Sequence, residues 1–190
     1  MLSRSLAIAL LCGGKSSRFG SDKAMALLQG KPLLQHLCEN LSSWPYPLFL
    51  ATHPERTYDF LNLPYIADEK FFHGPFATLI TLFEKTNFEY LVLIACDLAQ
   101  IQRELLEALF QKNWEAKAYV VQDHQGPQYL FARYSRELLA DLKHFRIKGG
   151  ESFRDFFRNY PTVISYLQTD QEIKNFNTPK EFEEFQCSAI

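Results

Sequence analysis

Two uninterrupted apolar runs, at residues 6–11 and 90–96, constrain the fold of this 190-residue chain more than any other feature. A strand with one face in water alternates apolar and polar residues, whereas a strand covered by helices on both faces is apolar throughout. Segments with helical spacing separate the apolar runs, so strands and helices alternate along the chain. The pattern predicts an α/β fold of three layers with a mostly parallel central sheet.

The predicted elements cover most of the chain. Short runs rich in β-branched, aliphatic and aromatic residues predict strands, and apolar residues at helical spacing predict helices. The turn-rich link at 123–127 joins two strands directly, which predicts a small antiparallel excursion from the parallel sheet. The strands are predicted at 6–11, 46–51, 63–67, 90–96, 117–122, 128–134 and 162–167, and the helices at 32–44, 75–85, 101–113, 135–145 and 179–186.

Composition narrows the class of protein. Hydrophobic residues make up 47% and charged residues 22%, which is typical of a soluble globular protein. The length suits one domain, expected to span residues 1–190. The formal charge of -2 disfavours nucleic acid and anionic membranes as partners. The four cysteines and five histidines are dispersed, which argues against a disulfide scaffold or a zinc site. We expect a cytoplasmic location.

A glycine-rich, cationic loop follows the first strand. Residues 12–23 read Cys-Gly-Gly-Lys-Ser-Ser-Arg-Phe-Gly-Ser-Asp-Lys. Glycines let backbone amides approach an anion closely, and fixed cations neutralise its charge. Ligands of open α/β sheets bind at the carboxyl ends of the strands, where this loop lies. The spacing matches neither a Walker A loop nor a dinucleotide fingerprint. The loop therefore predicts a phosphate site of another kind, with an ordinary solvated loop as the alternative.

Asp97 places a carboxylate directly after the apolar run at 90–96. Magnesium bound with a nucleotide needs only one or two carboxylates, because phosphate oxygens supply other ligands. Asp97 is therefore the candidate Mg²⁺ ligand. The alternative is that it caps the helix predicted to begin near Ile101.

The order of residues in the stretch 10–36, LLCGGKSSRFGSDKAMALLQGKPLLQH, resembles the signature of the molybdenum cofactor guanylyltransferases. That signature is Leu-Ala-Gly-Gly-x-x-x-Arg-Met-Gly-x-Asp-Lys followed by Gly-Lys-Pro-Leu. The resemblance implies that the backbone of the first four positions holds the guanine nucleotide, while the arginine and lysine face its phosphates. The glycine pair favours guanine, since related cytidylyltransferases more often have Ala-Ala-Gly there. The matching positions are Leu11, Cys12, Gly13, Gly14, Arg18, Asp22 and Lys23.

The same resemblance implies roles for residues further along the chain. Asp97 would bind Mg²⁺, Asp68 would contact the nucleotide, and Asn175 and Asn177 would lie near the pterin-bearing substrate. Arg18, Lys23 and Asp97 together are the expected catalytic residues. Gly74 and Pro75 would form part of the pocket wall, or simply begin a helix with proline at its first position. The chain departs from the family pattern at Thr52, Thr78, Ala99 and Tyr129.

The implied activity is transfer of GMP from GTP to the terminal phosphate of molybdopterin, which forms the guanine dinucleotide cofactor and pyrophosphate. Other molybdenum cofactor biosynthesis proteins and apo-molybdoenzymes are possible partners. The alternatives are a cytidylyltransferase acting on the same pterin or on a sugar or polyol phosphate, and a non-catalytic nucleotide-binding accessory protein. Arg146, Lys148 and Arg154 are candidates for holding a second phosphorylated substrate, or form an ordinary solvated face.

Overall fold

The computed structural model describes residues 5–12, 22–67, 74–98, 101–111 and 115–176, and a seven-stranded sheet forms the centre of this part of the chain. A separate two-stranded hairpin lies outside the sheet. The sheet strands are β1 (Leu6–Cys12), β4 (Leu48–Thr52), β5 (Tyr65–Ala67), β6 (Tyr90–Ala95), β7 (Ala118–Asp123), β8 (Gly126–Ser135) and β9 (Ile164–Gln168), and the hairpin pairs β2 (Leu27–Leu28) with β3 (Lys31–Pro32). The α-helices are α1 (Leu33–Ser42), α2 (Pro75–Lys85), α3 (Arg103–Phe110), α4 (Leu139–Ile147) and α5 (Phe153–Asn159).

The strand order is β5-β4-β1-β6-β8-β7-β9. The first four of these strands are parallel to one another, β8 is antiparallel to both β6 and β7, and β9 is parallel to β7. From β1 the chain builds outward to β4 and β5, and then returns to form β6 on the other side of β1. The order therefore reverses between β1 and β6, and the carboxyl ends of these two adjacent parallel strands lie side by side there.

Helices cover both faces of the sheet, as the apolar central strands require. Ile8 and Leu10 of β1 pack on the side that carries α1 and α3, whereas Ala7 and Ala9 pack on the side that carries α2, α4 and α5. Both sets of side chains are fully buried. This arrangement confirms the predicted three-layer α/β fold with a mostly parallel sheet, and the β7–β8 pair is the predicted antiparallel excursion.

Each predicted strand is present with ends shifted by a few residues, and four of the predicted helices are present. The helix predicted at 179–186 lies outside the described residues. Helix α5 was not predicted, although serine is a favoured N-cap residue and Ser152 occupies that position. In the structure, the hydroxyl of Ser152 accepts a hydrogen bond from the amide of Asp155. The β2–β3 hairpin was also missed. Its turn places Gln29 and Gly30 at positive φ. Glycine favours this conformation and glutamine does not, so the residue at position 29 gives no sequence signal for the turn.

Asp123 ties the β7–β8 turn to the segment that leads toward the C-terminus. One carboxylate oxygen accepts hydrogen bonds from the amides of Gln125 and Gly126 and from the side chain of Gln128. The other oxygen accepts from the amide of Ile173. Burial by itself raises the pKa of Asp123, but these N–H donors outweigh it and hold the pKa below its ordinary value.

We expect Asp123→Asn to lower the free energy of unfolding by about 3 kcal/mol near neutral pH, because the amide has one acceptor oxygen where the carboxylate has two. The folded pKa is depressed, so the carboxylate's contribution is complete above the unfolded pKa of about 4 and is lost as the pH falls through the folded value. Urea unfolding at about pH 7 and about pH 3 measures this, and the difference between wild type and variant should shrink in acid. A difference that stays constant across this range would contradict the assignment.

Candidate active site

An ion pair between Lys23 and Asp97 lies at the reversal point of the sheet. Lys23 follows β1 in sequence and Asp97 follows β6, and the lysine Nζ lies 2.9 Å from Oδ2 of the aspartate. The Lys23 side chain is 11% exposed and that of Asp97 is 27% exposed. The loops after β1 and β6 thus place a largely buried cation against a partly open carboxylate, where an α/β sheet binds its ligands.

Lys23 is held by the turn on which it lies. A single 3₁₀ turn, Lys23–Met25, begins after Asp22, whose Oδ1 accepts a hydrogen bond from the amide of Ala24 at 3.1 Å. The methyl group of Ala24 is fully buried in the core. The turn is therefore fixed at both its capping residue and its centre, which restricts where the lysine can reach.

Asp97 is held by its own backbone. The amide of Cys96 donates to the carbonyl of Leu11 at 3.2 Å, so that contact between the β1 and β6 segments continues beyond β6. On the other side, the amide of Phe176 donates to the carbonyl of Asp97 at 3.0 Å. Helix α3 begins only at Arg103 and has no side-chain cap. Asp97 is therefore not a helix cap, and that alternative is wrong.

A cavity of about 650 Å³ opens beside this pair, a size typical of small-molecule sites. Asp97 and Asn175 both line it, and Asn175 is brought there by an antiparallel bridge to Leu98. Tyr129 forms part of the wall and stacks on Phe153, with ring centroids 5.7 Å apart. The cavity therefore combines polar side chains at the ion pair with a rigid aromatic wall.

Two arginines of α5 line the cavity together with the carboxylates of Glu151 and Asp155, and Arg158 lies 3.5 Å from Asp155. Arg154 and Arg158, four residues apart on one helical face, both line it and are exposed. Arg154 therefore lies where it could contact a substrate, and its role stays a prediction. Arg158 was not among the sequence candidates, because α5 was not predicted. Arg146 instead donates to Glu151 at 2.8 Å, and Lys148 is exposed and does not line this cavity.

The predicted site residues that the structure describes lie at the carboxyl ends of β1 and β6 and in the adjoining cavity. Leu11 and Cys12 end β1, Lys23 and Asp97 form the ion pair, and Asn175 lines the adjoining cavity. The remaining predicted site residues lie outside the described part of the chain, and their roles stay predictions. These residues are Gly13, Gly14, Arg18, Asp68 and Asn177.

The residues at which the chain departs from the family pattern lie in different environments. Thr52 is buried at the end of β4, Thr78 is buried in α2, and Tyr129 lines the cavity. Ala99 lies outside the described residues. Gly74 and Pro75 begin α2 with proline in the first turn, as the structural alternative predicted, and Pro75 also lines the cavity.

The thiol of Cys12 lies in the core at the end of β1. Its side chain is fully buried on the α1 side of the sheet, with Cys38 and Cys96 in the same core cluster. Burial raises the pKa of the Cys12 thiol well above its ordinary value, and the neighbouring Cys96 thiol raises it further. Alanine at the same place would fill a similar apolar position, which explains why the residue is exchangeable there.

Carboxylates for a metal ion are few in the described residues. No group of three or more His, Cys, Asp or Glu side chains gathers there in a way that could hold a metal. Asp97 offers a partly exposed carboxylate beside Lys23, Asp22 precedes the lysine, and Glu151 and Asp155 line the cavity. Because no three of the described carboxylates gather, a bound Mg²⁺ would need phosphate oxygens and water as its other ligands. No α-helix within these residues has the length and apolar character needed to cross a membrane.

Comparisons with known proteins find one family across most of the chain. A family model described as "MobA-like NTP transferase domain" matches residues 8–163. A protein of Nostoc sp. named "Probable molybdenum cofactor guanylyltransferase" is 31% identical over 93% of this chain and 88% of its own length. The "Molybdenum cofactor guanylyltransferase" of Histophilus somni is 25% identical over 97% of this chain and 98% of its own.

Solved structures share the fold at low identity. The "Molybdopterin-guanine dinucleotide biosynthesis protein A" of Archaeoglobus fulgidus superposes with a TM-score of 0.79 and 22% identity, covering 97% of this chain and 100% of that one. A CMP:2-keto-3-deoxy-manno-octonic acid synthetase solved with CTP also gives a TM-score of 0.79, at 14% identity, covering 97% of this chain and 98% of that one. These likenesses establish the architecture of the sheet and its helices.

We expect Cys12 and Cys38 to resist iodoacetamide in the folded protein at about pH 8, since the thiolate is the reactive form and burial suppresses it. Burial raises the pKa of Cys38 to about 12, and nearby Glu39 adds to this effect. Both should react after unfolding in urea, which peptide mass mapping measures. Modification of Cys12 at equal rates in the two states would show that its thiol is accessible at the site.

Proposed function

The chain belongs to the family of MobA-like NTP transferase domains, and from this we propose that it transfers GMP from GTP to the terminal phosphate of molybdopterin, releasing pyrophosphate. Its enzyme class is nucleotidyltransferase. The observation that carries the proposal is the Lys23–Asp97 ion pair, beside which the 650 Å³ cavity opens. In this proposal, the nucleotide binds at the loop that follows β1 in sequence and the acceptor binds in the cavity.

The nucleotide side is the loop that follows β1. Gly13 and Gly14 supply unhindered amides directly after the strand, while Arg18 and Lys23 supply cations for the triphosphate. Asp68, which follows β5, is a further contact in this proposal. The guanine preference is supported by the glycine pair and by relatives named as guanylyltransferases.

The acceptor side is the cavity beside Asp97. Molybdopterin carries a phosphate and a flat heterocycle, and the cavity offers Arg154 and Arg158 for the first and Tyr129 for the second. Asn175, held by its bridge to Leu98, brings an amide to the same wall, and Asn177 follows it in sequence. Passing the product to other molybdenum cofactor biosynthesis proteins or apo-molybdoenzymes in the cytoplasm is part of this proposal.

The chemistry requires alignment more than a base. The attacking phosphate oxygen is already an anion at neutral pH, so a general base has no proton to remove. The protein instead offsets the negative charge that develops on the α-phosphate and on the departing pyrophosphate, through Lys23 and Arg18. No covalent enzyme intermediate is involved.

The residues present fit a magnesium ion held jointly with the nucleotide. Asp97 supplies a hard carboxylate oxygen that is partly open to the cavity. When bound there, the ion would neutralise phosphate charge. In the structure, the ammonium of Lys23 lies on Oδ2 of that same carboxylate. We therefore expect Lys23 to exchange Asp97 for a phosphate oxygen when the nucleotide arrives.

The first test compares nucleotides. GTP with magnesium, at about 100 times its Kd, should stabilise the folded state by about 2.7 kcal/mol, a rise of roughly 5–10 °C in Tm for a domain of this size. CTP, ATP and UTP should shift the Tm less. Incubation with GTP and molybdopterin should then release pyrophosphate. A shift selective for CTP would favour a cytidylyltransferase, and GTP binding without release would favour the accessory protein.

The second test separates the two members of the ion pair. Lys23→Met should lower kcat/KM by about 10²-fold or more, because it removes a cation that acts on developing charge. It should also tighten Mn²⁺ binding in the absence of nucleotide, since the ammonium no longer competes for Asp97. Asp97→Asn should weaken Mn²⁺ binding. Electron paramagnetic resonance of free Mn²⁺ measures this without turnover.

The matched control for this test is Lys143→Met. Lys143 of α4 also pairs with a carboxylate, Glu84 of α2 at 2.6 Å, and neither residue lines the cavity. Its loss should leave both turnover and Mn²⁺ binding near the wild-type values. If Lys23→Met leaves Mn²⁺ affinity unchanged, the exchange between Asp97 and phosphate is wrong.

A further inference from the structure

The segment after β4 forms a turn that is closed by Thr52. The hydroxyl of Thr52 is buried and lies within donor distance of two carbonyl oxygens of its own segment. That of Arg56 is 3.1 Å away and that of His53 is 3.3 Å away. The amide of Arg56 donates to the carbonyl of His53 at 2.9 Å. Thr52 is one of the positions at which the chain departs from the family pattern, and its hydroxyl binds its own loop. This turn sets the direction in which the next side chains leave the sheet.

Two side chains from this segment reach the loop after β1. The hydroxyl of Tyr58 donates to Oδ2 of Asp22 at 2.8 Å, and Nη1 of Arg56 lies 3.4 Å from Oδ1 of the same carboxylate. Tyr58 is 5% exposed and its ring packs in the core cluster on the α1 side. Oδ2 of Asp22 is thus held by a hydrogen bond from outside its own turn, whereas Arg56 adds an ion-pair contact on Oδ1 in which Nη1 makes no hydrogen bond within the described part of the chain.

The hydroxyl of Tyr58 remains a donor at every pH at which the protein is used. Burial raises the pKa of Tyr58 far above its ordinary value, and its hydrogen bond to the Asp22 carboxylate raises it further. The bond to Asp22 is also charge-assisted, which makes it stronger than a bond between neutral groups.

We propose that Tyr58, assisted by Arg56, is a positioning residue for nucleotidyl transfer, acting through Asp22 on the turn that carries Lys23. This inference rests on the proposed function of Lys23. Asp22 caps the 3₁₀ turn Lys23–Met25. A shift of its carboxylate therefore shifts the turn and the backbone from which the Lys23 side chain extends. Misplacement of a catalytic group by about 1 Å can cost 10²-fold in rate.

The test uses Tyr58→Phe, which retains the buried ring and removes only the hydroxyl. We expect kcat to fall about tenfold while the KM for GTP changes by less than about threefold, because Lys23 acts on charge that develops during transfer. In a Lys23→Met background, the same change should have no further effect on kcat. A purely structural tyrosine would instead give additive losses.

Calorimetric binding of magnesium pyrophosphate provides a readout that needs no turnover. Tyr58→Phe should weaken this binding about fivefold in the wild-type background and leave it unchanged when Lys23 is methionine. A wild type that binds pyrophosphate but transfers no GMP would contradict the proposed function, while the coupling between Tyr58 and Lys23 would still decide this inference.

The control is Thr86→Val at the C-terminal end of α2. Its hydroxyl donates to the carbonyl of Leu82 at 2.8 Å, so the variant loses a comparable side-chain hydrogen bond. Arg56→Gln is the second variant, since it removes the other contact with Asp22 without touching the core ring. If Tyr58→Phe and Arg56→Gln behave like Thr86→Val, or if their effects add to that of Lys23→Met, the positioning role is wrong.

Discussion

The ion pair between Lys23 and Asp97 is the contact on which the rest of the site depends. Its two residues are 74 positions apart, and they meet only because the strand order reverses between β1 and β6. A largely buried ammonium ion needs a counter-charge, since removal of one partner leaves the other charge uncompensated in a poorly solvated place. Here the counter-charge is a carboxylate that faces the cavity, so a phosphate can take its place without leaving Lys23 alone.

The proposed exchange would give a physical account of how this site handles a highly charged substrate. Asp97 neutralises the cation of Lys23 in the structure, and a triphosphate would supply other oxygens for the lysine. Asp97 would then be available to a divalent ion. Charge would be balanced both in the ion pair and in the proposed nucleotide complex. The ion pair is neutral, so it should not attract anions or metal ions strongly by itself.

The distant parts of the fold act by holding these two loops and the cavity in place. Asp123 anchors Ile173, just before Asn175 and Phe176 bind the backbone of Leu98 and Asp97. The aromatic side chains of α5 pack beneath Tyr129 and Tyr134 and so support the cavity wall. The segment after β4 holds Asp22. Each support comes from a different part of the chain, and all of them converge at the carboxyl edge of the sheet.

The amino-acid sequence by itself determined the fold class and the strands, because continuous apolar runs and helical spacing are local patterns. The glycine-rich loop, also a local pattern, was enough to propose the main site residues. It also placed Lys23 and Asp97 in loops after strands, which follows from chain order alone. Only the tertiary structure decided that these two residues touch, that Asp97 does not cap a helix, and that Tyr58 and Arg56 hold Asp22. Those facts depend on which strands become neighbours and on side chains that meet across more than thirty residues, a separation of 36 for Tyr58 and Asp22. No local pattern encodes such a meeting, because packing of the whole sheet and its helices sets the distance.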